Sequence, residues 1–116
     1  MLLGNGVDII EIERLTTAIE RWGDHFLKHV FCDEEIEYAH QHKNAIHHFA
    51  GRFAAKEAIL KAFGDNAHIG WKDIKIMNDK FGRPFCVYND KKFKHQIFVS
   101  ISHTHNYAVA SAIITA

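Results

Sequence analysis

The chain has 116 residues, 47% of them hydrophobic and only one Pro, which is material for one packed core and excludes a disordered or low-complexity protein. Lys and Arg together number 14, as do Asp and Glu, and the isoelectric point is near 7.2; a general nucleic-acid binder would carry a basic excess. No stretch reaches transmembrane length and the start lacks a signal peptide's charge and long apolar run. Cys32 and Cys86 stand far apart with no C-x-x-C, which fits two free thiols in a reducing cytoplasm.

In chain order, an apolar run from Leu2 to Ile10 predicts a first strand. A helix follows from Glu11 to Trp22, with Ile12, Leu15, Ile19 and Trp22 on its core side and Gly23 as its stop. A short helical turn is expected over Phe26 to Val30. Another helix is expected over Glu34 to His42, begun by Asp33 or Cys32. A long central helix starts near Asn44, a plausible N-cap, and stops at Gly64. The pattern then changes to strands at Trp71 to Met77, Pro84 to Tyr88, Ile97 to Ser102 and Tyr107 to Ile114, with turn chemistry in Asn78-Asp79-Lys80-Phe81-Gly82. A strand, then helices, then hairpins predicts a single α+β domain over 1–116, with helices packed on an antiparallel sheet.

The central helix carries charges on its apolar side. At about 100° per residue, Phe49, Phe53, Leu60 and Phe63 fall on one arc, with Glu57 and Lys56 set into it. A carboxylate there is costly unless it is paired or binds a cation. Glu57 and Lys61 at i,i+4 make a plain helix ion pair one reading. A metal–phosphate site, with Arg52, Lys56 and Lys61 nearby for anions, is the other. Asp8, inside the β-branched run Val7-Asp8-Ile9-Ile10, is a second misplaced carboxylate. An Asp on a strand and a Glu on a helix can share one hard cation. A third cluster, Ser100-Ile101-Ser102-His103-Thr104, ends a strand in hydroxyls and an imidazole. These suit phosphate contacts, and they are also ordinary turn residues. The ten His residues show no H-E-x-x-H pairing, and G-x-S-x-G and P-loop patterns are missing from the sequence.

Four segments, in order, carry a family resemblance: Gly6-Val7-Asp8-Ile9-Ile10-Glu11-Ile12-Glu13-Arg14, Gly51-Arg52-Phe53-Ala54-Ala55-Lys56-Glu57-Ala58-Ile59-Leu60-Lys61-Ala62, Gly82-Arg83-Pro84 and Ser100-Ile101-Ser102-His103-Thr104. They resemble the bacterial holo-[acyl-carrier-protein] synthases, the small type of 4′-phosphopantetheinyl transferase. The chain departs from the family at Cys32-Asp33, where a Thr-Pro-like cap is usual, and in its His-rich middle.

The resemblance implies a cytoplasmic enzyme of fatty acid and lipid biosynthesis. Its expected reaction is transfer of the 4′-phosphopantetheine arm of coenzyme A to a serine of acyl carrier protein, releasing adenosine 3′,5′-bisphosphate. It implies Asp8 and Glu57 as Mg²⁺ ligands, Glu57 and Lys61 as catalytic, and Arg52, Lys61, Arg83, Pro84 and His103 as coenzyme contacts. It also implies a homotrimer with sites between subunits, for which Phe98-Val99 and Val109 to Ile114 are candidate contacts. Carrier proteins are acidic, and Arg14 and Arg21 on the first helix with Lys28 beyond it form a basic stripe suited to docking. Neither a nucleic acid nor a membrane is expected as partner. Two other readings stay open: an enzyme acting on a different carrier protein, and a non-catalytic domain that binds coenzyme A or a nucleotide, or simply assembles.

Overall fold

A computed structural model describes residues 1–64 and 68–116 of the chain. Strand β1 (Leu2–Glu11) leads into four helices: α1 (Ile12–Trp22), α2 (Asp24–Val30), α3 (Asp33–His40) and α4 (Ala45–Phe63). Four strands follow: β2 (Ile74–Asn78), β3 (Pro84–Tyr88), β4 (Gln96–His103) and β5 (Tyr107–Thr115). The α+β class is as expected. The single sheet is not: β1, β5 and β4 form one antiparallel sheet in that order, and β2 and β3 form a separate hairpin. Trp71 to Asp73 is a 3₁₀ turn rather than the start of β2, because the Asp73 carboxylate accepts the Gly70 N–H at 2.7 Å and curls the chain there.

Helix α4 lies across the inner face of the larger sheet. Its most deeply buried side is not the Phe arc of the sequence reading but a run of small residues: Ala54, Ala55, Ala58 and Ala62, with Ile59. They meet Ala110, Ala112 and Ile114 of β5. Phe53, Leu60 and Phe63 are only partly buried. The reason is how closely strand and helix approach. A Cβ on Gly6 would stand 2.0 Å from the Ala58 carbonyl oxygen, and one on Gly4 2.2 Å from that of Ala62. Only glycine allows β1 to lie against α4 in this way.

Strand β1 therefore buries one face only. Gly4, Gly6, Asp8 and Ile10 point toward α4, while Val7 and Ile9 are 61% and 65% exposed. Phe98 and Ile113 join them on an open apolar face, and Val99 turns inward to the core instead. Trp22, expected in the core, is 56% exposed beside Arg21; α1 ends there and carries it past the packed layer. A second core forms where Leu15, Leu27, Val30 and Phe31 pack on Phe49 and Ala50.

Candidate active site

Asp8 projects from the inner face of β1, and Glu57 from α4. The two carboxylates line one cavity of about 290 Å³, whose apolar wall includes Leu15, Phe26 and Phe53. Burial, and then the Asp8 charge, raises the Glu57 carboxyl above its ordinary range, and Lys61 opposes that. Two carboxylates facing one half-sheltered cavity are a donor set that a hard metal ion can use. Among the described residues no group of three or more His, Cys, Asp or Glu gathers to hold a metal. A pair of carboxylates is a donor count that Mg²⁺ could use, since it takes one or two and keeps its waters.

The i,i+4 pair of Glu57 and Lys61 is not formed. Lys61 Nζ instead reaches across to β1, where it donates to Asp8 Oδ1 at 3.1 Å and to the Val7 carbonyl at 3.0 Å. Lys56, placed by periodicity among the groups that could meet an anion, is unavailable. It is fully buried, 2.6 Å from Glu35 Oε1, and donates to the carbonyls of Val30 and Trp71. Glu35 in turn accepts from the Cys32 N–H at 2.8 Å and the Ile76 N–H at 3.0 Å. This pair ties α3, α4 and β2 together, using all three ammonium protons and both carboxylate oxygens.

Arg14 is exposed and lines the same cavity as Asp8 and Glu57. Arg21 and Lys28 are exposed on α1 and α2 and line no part of it.

A second cavity, of about 170 Å³, holds another group of expected residues: Arg52, Pro84 and His103, together with His47 and Asn78. Arg83 is not on its wall among the described residues; its backbone closes the β2–β3 turn against Asp79. Arg52 is 3% exposed, with its guanidinium 4.3 Å above the Tyr38 ring and 2.6 Å from Asn78 Oδ1. Burial lowers its pKa, while the Glu35 and Tyr38 side chains oppose the shift. Arg52 Nε and His47 Nδ1 are buried with no partner among the described residues. His48 is pushed down to about 4, by burial first and then by His42, Arg52, His103 and His47, so it is neutral at pH 7. Among the described residues the wall of this cavity carries no carboxylate. Arg52 gives the wall a positive charge that an anion could meet.

Sequence reasoning missed Glu35, Tyr38, Asn78 and His47. Glu35 left a trace, since an acid three residues after a helix start often reaches back to the cap N–H. The others are brought in by tertiary contact and leave no local signal.

The family model of the 4′-phosphopantetheinyl transferase superfamily matches residues 4–112. The chain is 42% identical to the holo-[acyl-carrier-protein] synthase of Thermodesulfovibrio yellowstonii, covering 99% of this chain and 100% of that one. It is 40% identical to the enzyme of the same name from Koribacter versatilis, over 98% of each. Its fold superposes on the holo-(acyl-carrier-protein) synthase of Bacillus anthracis, solved in complex with CoA (3′,5′-ADP), with a TM-score of 0.86 at 32% identity, over 98% of this chain and 96% of that one. For the Neisseria meningitidis holo-[acyl-carrier-protein] synthase the TM-score is 0.90 at 25% identity, over the full length of both. With paired carboxylates on β1 and α4, a separate basic cavity on another side of α4 and these full-length likenesses, the chain belongs to the 4′-phosphopantetheinyl transferase superfamily and, within it, to the holo-[acyl-carrier-protein] synthases.

Proposed function

We propose that the protein, acting as one domain over 1–116, moves the 4′-phosphopantetheine arm of coenzyme A to a serine hydroxyl of apo-acyl carrier protein, in a Mg²⁺-dependent reaction. The observation that carries this reading is the pair Asp8 and Glu57, brought from β1 and α4 to one cavity with Lys61 beside them. Asp8 and Glu57 would hold Mg²⁺, which when bound neutralises pyrophosphate charge.

The serine oxygen forms a bond to the β-phosphorus. The bond from that phosphorus to the bridging oxygen breaks, and adenosine 3′,5′-bisphosphate leaves with the electron pair. Glu57 takes the serine proton through a water. Lys61 meets the negative charge that grows on the leaving group. Arg52 and His103 hold the coenzyme's phosphates, with Arg83 and Pro84 toward the nucleotide.

Arg52 and Glu57 lie about 140° apart around α4 at about 100° per residue, and their cavities share no wall residue. One coenzyme reaching both on a single copy would have to wrap the helix. A homotrimer, joined through the open face of Val7, Ile9, Phe98 and Ile113, instead sets the anion cavity of one subunit beside the carboxylates of the next. Arg14, with Arg21 and Lys28 around it, receives the acidic carrier protein at the mouth of the carboxylate cavity. The setting is the cytoplasm and fatty acid biosynthesis; among the described residues no helix is long and apolar enough to cross a membrane.

The test is incubation with coenzyme A, Mg²⁺ and apo-acyl carrier protein, followed by mass spectrometry. The carrier should gain one phosphopantetheine. A carrier of unchanged mass, alongside modification of a peptide- or polyketide-synthase carrier domain, would replace the substrate. No modification of either would remove the transferase reading.

A further inference from the structure

The first turns of α4 and the turn between β4 and β5 are distant in sequence and meet at His47. Its Nε2 lies 3.3 Å from the His105 carbonyl oxygen. A carbonyl only accepts, so Nε2 carries the hydrogen and donates. The same ring stands 5.3 Å from that of His103 and 6.2 Å from that of His105. His103 has no other aromatic neighbour among the described residues, and it is exposed on the wall of the anion cavity.

The turn's remaining hydrogen bonds do not hold His103 against α4. Thr104 Oγ1 accepts from the Asn106 and Tyr107 N–H groups at 3.3 and 3.1 Å, and Thr104 N–H donates to the Tyr107 carbonyl at 2.8 Å. These close the turn on itself. The Asn106 carbonyl accepts from Ile12 N–H at 2.9 Å, which ties the far side of the turn to α1. On the cavity side, His47 is the side chain that fixes the turn to the helix carrying Arg52. One imidazole packs against the His103 ring at a tilt of 53° and donates to the His105 carbonyl. An aliphatic residue at 47 would offer neither.

We infer that His47 is a positioning residue: it strapped the β4–β5 turn to α4 and so holds His103 where that imidazole and Arg52 converge on a phosphate ester of the coenzyme. The inference rests on the proposed function, in which this cavity takes the coenzyme's phosphates. It predicts that His47 acts through His103 and not as a separate ligand. The groups around His47 are His48 and Arg52 on α4 and His103 and His105 on the turn, all nitrogen bases. An anion placed there meets no opposing carboxylate.

The experiment is calorimetric titration of the full-length protein with adenosine 3′,5′-bisphosphate, for the wild type, His47→Ala, His47→Gln, His103→Ala and the double variant His47→Ala/His103→Ala. One charge-assisted hydrogen bond contributes about 1.5–3 kcal/mol, so His103→Ala should weaken binding by about tenfold or more and His47→Ala by up to that amount. The double variant should bind no more weakly than His103→Ala alone, within about twofold, because both changes remove one interaction. His47→Gln keeps a donor at the reach of Nε2 and should recover most of the affinity. Binding by His47→Ala within about twofold of wild type would overturn the inference, as would additive losses in the double variant. Failure of the wild type to bind the bisphosphate at all would remove the proposed function and this inference with it; wild-type binding with additive losses would remove the inference alone.

Discussion

Lys61 Nζ bridges two elements, donating to Asp8 Oδ1 at 3.1 Å and to the Val7 carbonyl at 3.0 Å from one turn beyond Glu57. The pair is partly exposed, so its own contribution to stability is small. Its value lies in where it puts a cation. The ammonium sits against Asp8, which lines the carboxylate cavity, on a flexible stem.

Lys61→Ala should therefore lower kcat as well as raise the KM for coenzyme A, because the charge is needed most as the leaving group develops. Lys61→Arg should recover only part of kcat, since a planar fork does not replace a compact ammonium. Steady-state kinetics at saturating carrier protein decides it. A change confined to KM would leave Lys61 as a binding group only.

Asp8→Asn and Glu57→Gln should each cut transfer at least a hundredfold, on the order of one lost charge-stabilising group, with circular dichroism unchanged. The metal should also be visible without turnover. Glu57 has its pKa raised by burial and by Asp8, so it keeps its proton to higher pH than a free glutamate. With no cation added, the stability this proton contributes is present at low pH and lost as pH rises through the elevated pKa. Cation and proton compete for the same oxygens. The rise in Tm produced by Mg²⁺ should thus be larger at pH 8 than at pH 5, and absent in Glu57→Gln. An equal rise at both pH values would place the ion elsewhere.

Arg14→Glu should weaken binding of acyl carrier protein far more than binding of coenzyme A. Arg14 is exposed on the wall of the carboxylate cavity, to which the proposed reaction brings the carrier's serine. Such a charge acts mainly on encounter rate, and salt screens it over roughly 10 Å at 0.1 M. Association rates measured between about 0.05 and 0.5 M salt should fall steeply for the wild type and less for the variant. Matching salt slopes would remove Arg14 from the docking surface.

Lys56→Met strands the buried Glu35 carboxylate and should cost about 3–5 kcal/mol in urea unfolding. Glu35→Gln should also destabilise, and the double variant should lose clearly less than the two single losses combined, because the groups share one network. Additive losses would mean that Lys56 and Glu35 act separately, against the 2.6 Å contact.

Much of this arrangement was legible in the chain. Asp8 in a β-branched run and Glu57 on an apolar helix both break local rules, and they face one cavity. Ile12 and Leu15 of α1 are buried as their spacing predicts, while Trp22 is not, because periodicity cannot show where a helix outruns its neighbours. Lys56 was rightly placed on the buried side and wrongly given to an anion. Its partner Glu35 belongs to another helix, and such pairings are non-local. For the same reason the separation of the β2–β3 hairpin from the larger sheet leaves no mark on strand periodicity, which says where strands are and not which edges meet. The division of the expected residues between two cavities follows from the turn of α4 between Arg52 and Glu57, and only tertiary structure shows what covers each side.

The glycine contact between β1 and α4 works as a fixed gauge. With the would-be Cβ of Gly6 only 2.0 Å from the Ala58 oxygen, backbone rests on backbone just beside Asp8, and no side chain in between can shrink or swell to alter the gap. The spacing of the backbones that carry Asp8 and Glu57 is thus cast in main-chain geometry rather than in packing. Core substitutions elsewhere can shift stability without changing that spacing. A change of metal preference has to come from the reach of the ligands themselves, as in Asp8→Glu or Glu57→Asp.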